Sequence, residues 1–275
     1  MQGSDRRPFF GLDCPECRGF AAAVSRPDAT HSAELPPTRE LTVVIPFFNE
    51  VANVRSVLAE VRTTLVSLNA SHEVIVVDDG SSDGTGAELD AVAREWPDLK
   101  VIHFTRNRGQ AAALWEGFQQ ARGAWISMLD GDGQNPPQEL ARLWALRHSA
   151  DFIAGARQGR QDSTLRRTMS RVANAVRSKL LRDRVSDSGC SLKVFRREVV
   201  GSFLPIRTMY SFLPAFAVSG GWSVLEVPVA HRARTAGVSK YGLRVMAVHP
   251  LLDLLALCWI LRRTFRQKTD AQTPR

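Results

Sequence analysis

Leu129-Asp130-Gly131-Asp132-Gly133-Gln134-Asn135-Pro136-Pro137 follows directly on an apolar run that begins at residue 124. Two carboxylates are therefore separated by one residue at the point where a β-strand is expected to end. Side chains at i and i+2 of a strand lie on one face, so both carboxylates can point at one ion. Carboxylate oxygens suit Mg²⁺ or Mn²⁺ when substrate phosphates complete the shell. The segment predicts a divalent-cation site, and a solvated Asp-Gly turn is the alternative.

Strands and helices are predicted to alternate on both sides of this segment. Apolar, β-branched runs predict strands at 41–46, 73–77, 100–104, 124–129 and 151–154. Helical periodicity predicts helices at 51–65, 88–96, 110–121 and 137–148 between them. This alternation is typical of βαβ units, so the expected fold class is α/β, with a Rossmann-like, mostly parallel sheet that has helices on both faces.

Polar clusters fall at the carboxyl ends of three predicted strands, where open α/β sheets bind ligands. The clusters are Pro46, Asn49 and Glu50 after the first strand, Asp78 and Asp79 after the second, and Asp130, Asp132 and Gln134 after the fourth. Asn49 is also the expected N-cap of the following helix, and Asp83 a cap of the next. Each cluster alone is compatible with turn chemistry, but three on one sheet edge indicate a ligand site.

Composition and charge favour an anionic partner. The chain has 275 residues and a formal net charge of +8, and residues 156–197 contain twelve Arg or Lys against three Asp or Glu. A solvated basic face is the alternative interpretation of that block. Cys14 and Cys17 form a lone CxxC without a second pair, so reduced thiols are expected rather than zinc.

Three regions are expected along the chain. Residues 1–39 lack periodicity and predict a flexible extension, and residues 40–240 carry the α/β domain. Residues 241–275 are expected to form a membrane-interfacial amphipathic helix and a basic tail. The apolar stretch Val245 to Leu261 is interrupted by His249, Pro250 and Asp253, which makes it too short and too polar to span a bilayer easily. Trp259 and flanking arginines favour an interfacial helix, and a buried core helix is the alternative.

Three motifs together resemble a known enzyme family. Val43-Val44-Ile45-Pro46-Phe47-Phe48-Asn49-Glu50, Val76-Val77-Asp78-Asp79-Gly80-Ser81 and the segment from Asp130 to Pro137 are similar to signatures of family 2 GT-A glycosyltransferases. More narrowly, the chain resembles the dolichyl-phosphate mannose synthase and polyprenyl-phosphate glycosyltransferase branch. The resemblance covers about residues 40 to 245, and order, spacing and strand context all agree.

The resemblance implies a role for each motif. Pro46, Glu50 and one of Asp78 or Asp79 would hold the base and ribose of a nucleotide, close to Asp130. A divalent cation, Mg²⁺ or Mn²⁺, would be ligated by Asp130, Asp132 and Gln134, which makes Asp132 a catalytic residue. The branch's phosphate- and acceptor-binding positions correspond to Arg157, Arg166, Ser170, Arg234, Ser239 and Lys240. Asp187-Ser188-Gly189-Cys190 resembles an acceptor-side element but is shortened, with Cys where the family has Phe.

The implied reaction is inverting transfer of a sugar from a nucleoside diphosphate sugar to a polyprenyl phosphate, at the cytoplasmic face of the membrane by a peripheral or monotopic protein. A phosphate monoester has a second pKa near about 6, so such an acceptor is already ionised and needs no protein base. A glycan or glycolipid hydroxyl is the alternative acceptor; it would need a base, and Asp187 is then the candidate. The motifs are compatible with both UDP- and GDP-sugars.

A non-catalytic basic module that binds membrane or nucleic acid is the rival of a different class. Basic charge permits it, but aromatic residues are not interleaved with the basic ones as stacking on bases requires. No nucleic-acid partner is therefore expected.

Overall fold

A mostly parallel β-sheet forms the centre of the part of the chain that the computed structural model describes, residues 38–158, 174–183, 185–232 and 243–263. The strands are β1 (Arg39–Phe47), β2 (His72–Asp78), β3 (Leu99–His103), β4 (Gly123–Met128), β5 (Phe152–Arg157), β6 (Lys193–Arg196) and β7 (Val224–Val229). The helices are α1 (Val51–Leu68), α2 (Thr85–Glu95), α3 (Gln110–Gln120), α4 (Glu139–Ala145), α5 (174–181), α6 (Leu213–Ser219) and α7 (Leu243–Arg263). Arg197–Ser202 and Met209–Ser211 are 3₁₀ segments.

Strand order within the described residues is β3-β2-β1-β4-β6-β5-β7. β6 runs antiparallel to both of its neighbours, β4 and β5, and the other strand pairs are parallel. The predicted α/β fold with a mostly parallel sheet is confirmed. Because β6 is reversed, its first residue, Lys193, pairs with Met128 at the carboxyl end of β4. The segment that precedes β6 therefore enters the sheet at the edge where the parallel strands end.

The position of β1 between two hydrophobic clusters explains why its sequence is a continuous apolar run. Val43 and Ile45 belong to the hydrophobic cluster on one face of the sheet, and Val44 belongs to the cluster on the other face. All three side chains are fully buried. A strand covered by helices on both faces must be apolar at every position, not at alternate ones.

Helices cover both faces of the sheet. α1, α2 and α4 contribute apolar side chains to one cluster, which includes Val54, Val57, Leu58, Leu89, Leu140 and Leu143. α3, α6 and α7 contribute to the other, which includes Leu114, Phe118, Leu213, Phe216, Leu254 and Leu257. α6 was not expected from the sequence, because a seven-residue apolar segment shows no resolvable helical period.

α7 packs on the core with one face only. Leu254 and Leu257 are buried in the second cluster, and Thr208 Oγ1 donates a 2.6 Å hydrogen bond to the Asp253 carboxylate. Leu252, Leu255 and Trp259, which we call the α7 ridge, are 57%, 58% and 60% exposed. Among the described residues, none of the helices combines the length and the apolar character that crossing a membrane requires.

Local capping shifts several predicted boundaries. α2 begins at Thr85 and not at residue 88. Gly84 is its N-cap, without a side-chain cap hydrogen bond, so Asp83 is not the cap itself; its carboxylate accepts the Thr85 N–H at 3.0 Å. Asn49 is not the N-cap of α1. Glu50 occupies that position, and Asn49, with a positive φ of 51°, binds the neighbouring loop instead. β5 extends beyond residue 154 and takes Arg157 into the sheet.

Substitution of Phe195, on β6, tests the packing of the second cluster. Its ring lies between 5.3 and 5.4 Å, centroid to centroid, from the rings of Phe118, Phe152 and Phe203. We expect Phe195→Ala to lower the free energy of unfolding by about 3–5 kcal/mol, because a cavity remains that the sheet cannot close. Val66→Ala, at a side chain 72% exposed, is the control and should change it by less than about 0.5 kcal/mol. Equal urea midpoints for the two variants would contradict this packing.

Candidate active site

The predicted polar clusters meet at one edge of the sheet. β1 pairs in parallel with β2 and with β4, so their carboxyl ends lie side by side. Phe47 is the register partner of Asp78, and its carbonyl accepts the Asp79 N–H at 2.9 Å. On the other side, Leu129 N–H donates to the Val44 carbonyl at 3.3 Å. The sequence therefore placed the three clusters correctly relative to one another.

Gly131 permits the close approach of the Asp130–Asp132 turn to β1. A Cβ atom at residue 131 would lie 2.5 Å from the ring of Phe47, which real Cβ atoms do not tolerate. The two carboxylates thus flank a backbone that sits directly against the end of β1.

The Asp130 and Asp132 carboxylates influence each other. Burial and, second, the negative charge of Asp132 raise the pKa of Asp130 from 3.8 to about 6, although Ser191, Lys193 and Arg157 oppose the shift. Within the described ranges no cluster of three His, Cys, Asp or Glu side chains forms a complete metal cage. Two carboxylates that share substrate phosphates and water are, however, a donor set that Mg²⁺ uses. The residues present therefore fit a hard divalent cation.

The loop after Asp132 is held by backbone contacts. Gln134 N–H donates to Asp132 Oδ1 at 3.0 Å, and the Gln134 carbonyl accepts the Arg232 N–H at 2.8 Å. Arg232 in turn binds both oxygens of Glu60 on α1 at 2.9 and 3.0 Å. The loop from Asp132 to Gln134 is therefore anchored to α1 and to the segment after β7. The role of the Gln134 side chain as a ligand stays a prediction.

Asp79 organises the loop that leads into α3. Oδ1 accepts the Arg108 N–H at 2.7 Å, and Oδ2 accepts the Gly109 N–H and the Asn107 Nδ2–H, both at 2.9 Å. Burial raises the pKa of Asp79, and the two backbone donors oppose that effect. The Asp79 carboxylate thus joins the end of β2 to the loop after β3.

Asp78 is joined to α2 through His103. His103 Nδ1 lies 3.1 Å from Asp78 Oδ2, and Nε2 lies 3.0 Å from Asp90 Oδ1. Asp78 Oδ1 also accepts the Ser81 N–H at 3.0 Å. Burial lowers the pKa of His103, but the hydrogen bonds and charges of Asp90 and Asp78 outweigh it and raise the pKa above 6.5. An imidazolium can donate to both carboxylates, whereas a neutral ring can donate to only one.

The first cluster is tied to the same loops. Asn49 N–H donates to Ser81 Oγ at 2.9 Å, and Asn49 Oδ1 accepts the Ser82 N–H at 2.8 Å. Glu50 Oε2 accepts a 2.6 Å hydrogen bond from the Asn53 side chain. Pro46 is buried and lies beyond the last β1–β4 residue pair, so its missing N–H does not interrupt that ladder.

Arg157 and Asp187 form a bidentate ion pair, and the charge of Arg157 also acts on Asp130. Arg157 Nε and Nη2 each lie 2.8 Å from a different Asp187 oxygen, and the Arg157 backbone N–H adds a third hydrogen bond at 3.0 Å. The Asp187 N–H is itself held by Glu226 at 2.9 Å. Two residues predicted for separate roles, phosphate binding and base catalysis, are therefore joined to each other.

Lys193 is a buried cation that the sequence analysis did not single out. It is 1% exposed, and Nζ donates to the carbonyls of Cys190 and Ser188. Burial lowers the pKa of Lys193, while the charges of Asp187 and Asp130 act in the opposite direction. The signal in the sequence is a lysine inside an otherwise apolar strand, because a fully buried lysine requires carboxylate or carbonyl partners.

The remaining predicted residues cannot be placed. Arg166, Ser170, Arg234, Ser239 and Lys240 lie outside the described residues, as do Cys14 and Cys17 and most of the predicted extension 1–39.

The contacts of His103 with Asp78 and Asp90 predict that the stability of the protein depends on pH. Because the pKa of His103 is raised in the folded protein, its contribution is fully present below about pH 6.5 and is lost as the pH rises through the folded pKa. We expect the wild type to be more stable than His103→Gln at low pH, and this difference to shrink on going from about pH 6 to pH 9. Thermal midpoints across that range measure it. A difference that does not change with pH would contradict the bridging imidazolium.

Known proteins of one family match this chain. The sequence model of "Glycosyl transferase family 2" matches residues 42–203, more than half of the chain. The chain is 38% identical over 205 residues to an undecaprenyl-phosphate 4-deoxy-4-formamido-L-arabinose transferase of Aeromonas hydrophila, covering 74% of this chain and 63% of that protein. A protein of the same name from Klebsiella pneumoniae is 34% identical over 209 residues, covering 75% and 64%. The chain thus spans less than two thirds of the length of these relatives.

Solved structures share the fold. Glucosyl-3-phosphoglycerate synthase of Mycobacterium tuberculosis, in complex with Mn²⁺, UDP and glucosyl-3-phosphoglycerate, superposes with a TM-score of 0.60 at 17% identity over 80% of both chains. A mannosyltransferase of Pyrobaculum calidifontis, in complex with GDP-Man and Mn²⁺, gives 0.59 at 21% identity over 84% of this chain and 67% of that one. These likenesses confirm the GT-A architecture. The family model and the two relatives of 38% and 34% identity show the family. The chain belongs to glycosyl transferase family 2.

Proposed function

We propose that the protein transfers a sugar from a nucleoside diphosphate sugar to a polyprenyl phosphate, with inversion and with the help of a divalent cation. The observation that carries the proposal is the pair of carboxylates, Asp130 and Asp132, at the shared edge of β1, β2 and β4 with Arg157 close by. The names of the two relatives, which act on undecaprenyl phosphate, support the acceptor class.

The donor would bind along the ends of β1 and β2. Pro46, Glu50 and the Asp78–Asp79 pair surround the position where the resemblance implies the base and ribose. Most of their polar groups already hold loops in place, so the protein supplies a preorganised rim and not a set of mobile side chains. A fixed rim costs little conformational entropy when the nucleotide binds.

Stabilisation of the departing diphosphate would come from residues at the ends of β4 and β5. A divalent cation held by Asp130, Asp132 and, as predicted, Gln134 would neutralise charge that builds up on the leaving group. The Arg157 guanidinium uses Nε and Nη2 for Asp187 and keeps further N–H donors for an anion. Its pairing with Asp187 fixes the orientation of those donors before substrate arrives.

The acceptor is where the two functional hypotheses differ. A lipid phosphate is ionised near neutral pH and needs no base. A hydroxyl acceptor would need one, and both Asp187 oxygens are occupied by Arg157, which makes proton abstraction by Asp187 unfavourable. The ion pair therefore supports the phosphate acceptor over the glycan or glycolipid hydroxyl.

Membrane association forms part of the proposal. The α7 ridge leaves three large apolar side chains exposed on a helix whose other face is buried, and Arg263 stacks on Trp259 at 4.7 Å. An interfacial helix has this combination of apolar, aromatic and basic side chains. A location at the cytoplasmic membrane face and the boundaries of 40–240 for the catalytic domain stay predictions.

The reaction class is tested by nucleoside diphosphate release with Mn²⁺ or Mg²⁺, over UDP- and GDP-sugars, with and without a short polyprenyl phosphate. Release that requires both the metal and the lipid phosphate is the expected result and identifies the donor. Release stimulated only by hydroxyl acceptors would move the assignment to the alternative reaction. Absence of release with every donor would favour a non-catalytic binding module.

Asp132→Asn tests the cation site. We expect turnover to fall by about 10²-fold or more, since the change removes a ligand charge without removing core volume. The thermal midpoint of the metal-free variant should equal or exceed that of the wild type, because repulsion of Asp130 is relieved. Asp98→Asn is the matched control, since Asp98 lies at the opposite edge of the sheet, where it pairs with Arg39. Full turnover by Asp132→Asn would exclude the cation role of Asp132.

Membrane binding is tested on the α7 ridge by cosedimentation with anionic vesicles. We expect the double variant Leu255→Glu/Trp259→Glu to reduce binding at least about tenfold, since each buried apolar side chain contributes about 1.5–3 kcal/mol. Both residues are exposed, so the core contacts of Leu254 and Leu257 remain. Val66→Glu, at an exposed valine on α1, is the control. Equal sedimentation of the double variant and the control would refute the interfacial helix.

A further inference from the structure

A hydrogen bond joins the first residue of α3 to the candidate cation site. Gln110 Nε2 donates to Asp130 Oδ1 at 2.6 Å, across 20 positions of sequence. An ionised carboxylate can only accept hydrogen bonds, so the glutamine amide must present its NH₂ group to it. This donor is neutral, in contrast to the Arg157 guanidinium that binds Asp187. Gln110 therefore restrains the Asp130 carboxylate without cancelling its negative charge.

A close contact between α3 and β1 directs Gln110 to this edge of the sheet. Gly117 lies so near β1 that a Cβ atom there would come within 2.3 Å of Val44 Cγ1. Residues seven positions apart lie on the same face of a helix, so Gln110 is on the face that packs against the sheet. The Val44 carbonyl also accepts the Leu129 N–H at 3.3 Å, directly before Asp130. One strand thus positions both partners of the hydrogen bond.

The loop that precedes Gln110 is fixed as well. The Asp79 carboxylate accepts the backbone N–H groups of Arg108 and Gly109 at 2.7 and 2.9 Å. It also accepts the Asn107 side-chain amide at 2.9 Å. Because the loop and the helix are both held by other contacts, truncation of the Gln110 side chain should remove its hydrogen bond without moving the backbone.

We infer that Gln110 is a positioning residue for the divalent cation: its amide holds Oδ1 of Asp130, so that the carboxylate is oriented before the cation binds. A carboxylate offers about four lone-pair sites, and the amide uses one of them, which leaves others for a cation shared with Asp132. The inference deepens the proposed function and depends on it. Residues that orient metal ligands typically contribute about 10-fold or more to metal affinity.

The test is Mn²⁺ binding, measured by the electron paramagnetic resonance signal of free Mn²⁺ in the presence of UDP or GDP. We expect Gln110→Ala to weaken Mn²⁺ binding roughly 10-fold. Gln110→Asn should lose as much, because it keeps the amide but is one methylene shorter and cannot reach Asp130 from the same backbone position. Nucleotide binding in the presence of EDTA should be unchanged in both variants.

Gln120→Ala is the matched control. Gln120 is the last residue of α3, about 15 Å along the helix axis from Gln110 at the usual rise per residue. Its Nε2 donates to the Glu116 carboxylate at 2.6 Å, and its Oε1 accepts from Lys100. The control therefore removes the same side chain and the same kind of hydrogen bond from the same helix, and it should bind Mn²⁺ as the wild type does.

Two results would overturn the inference alone: wild-type Mn²⁺ affinity in a folded Gln110→Ala variant, or an equal loss of metal-free nucleotide binding, which would indicate a general structural role. Failure of the wild-type protein to bind Mn²⁺ with either nucleotide would instead overturn the proposed function, and the inference with it. The wild-type measurement thus separates the two failures.

Discussion

Repulsion between Asp130 and Asp132 is the constraint on which the rest of the site depends. Burial and the nearby charge of Asp132 raise the free energy of the ionised form of Asp130. The surrounding structure offsets this with neutral hydrogen-bond donors at Asp130 and with nearby cations, Arg157 and Lys193. In the absence of a cation this arrangement therefore costs stability.

The cations near this pair are themselves restrained, each in a different way. Arg157 is fixed by a bidentate contact with Asp187, and Lys193 is fixed by carbonyls at the turn that precedes β6. Each side chain is thus held by hydrogen bonds to groups other than Asp130. Both positive charges oppose the rise in the pKa of Asp130. The reversed strand β6 makes this possible, since it carries both Lys193 and the Asp187 turn to the carboxyl edge of the parallel strands.

The sequence predicted the elements with strong local signals and missed those that depend on tertiary contact. β1 and the Asp130 segment were predictable because a continuous apolar run followed by carboxylates has few structural interpretations. The contact of Gln110 with Asp130 was not predictable, because a glutamine has no distinctive pattern until the fold places it beside a carboxylate. The preference of Asn for N-cap positions predicts a cap at Asn49. Hydrogen bonds with Ser81 and Ser82, in the loop after β2, hold Asn49 in a different conformation. Lys193 gave a signal, a charged residue within an apolar strand, that only a buried polar environment explains.

The partners of the individual carboxylates also bear on the chemistry. The described edge of the sheet contains carboxylates in three conditions: Asp79 saturated by backbone donors, Asp187 neutralised by a guanidinium, and Asp130 held by neutral donors. A general base needs a carboxylate oxygen that is not already bound to a cation. An enzyme that removed a proton from a hydroxyl acceptor would need such a carboxylate on the acceptor side, where this chain has the Arg157–Asp187 pair. An acceptor that brings its own negative charge removes that need. The Arg157–Asp187 pair thus agrees with the proposed phosphate acceptor.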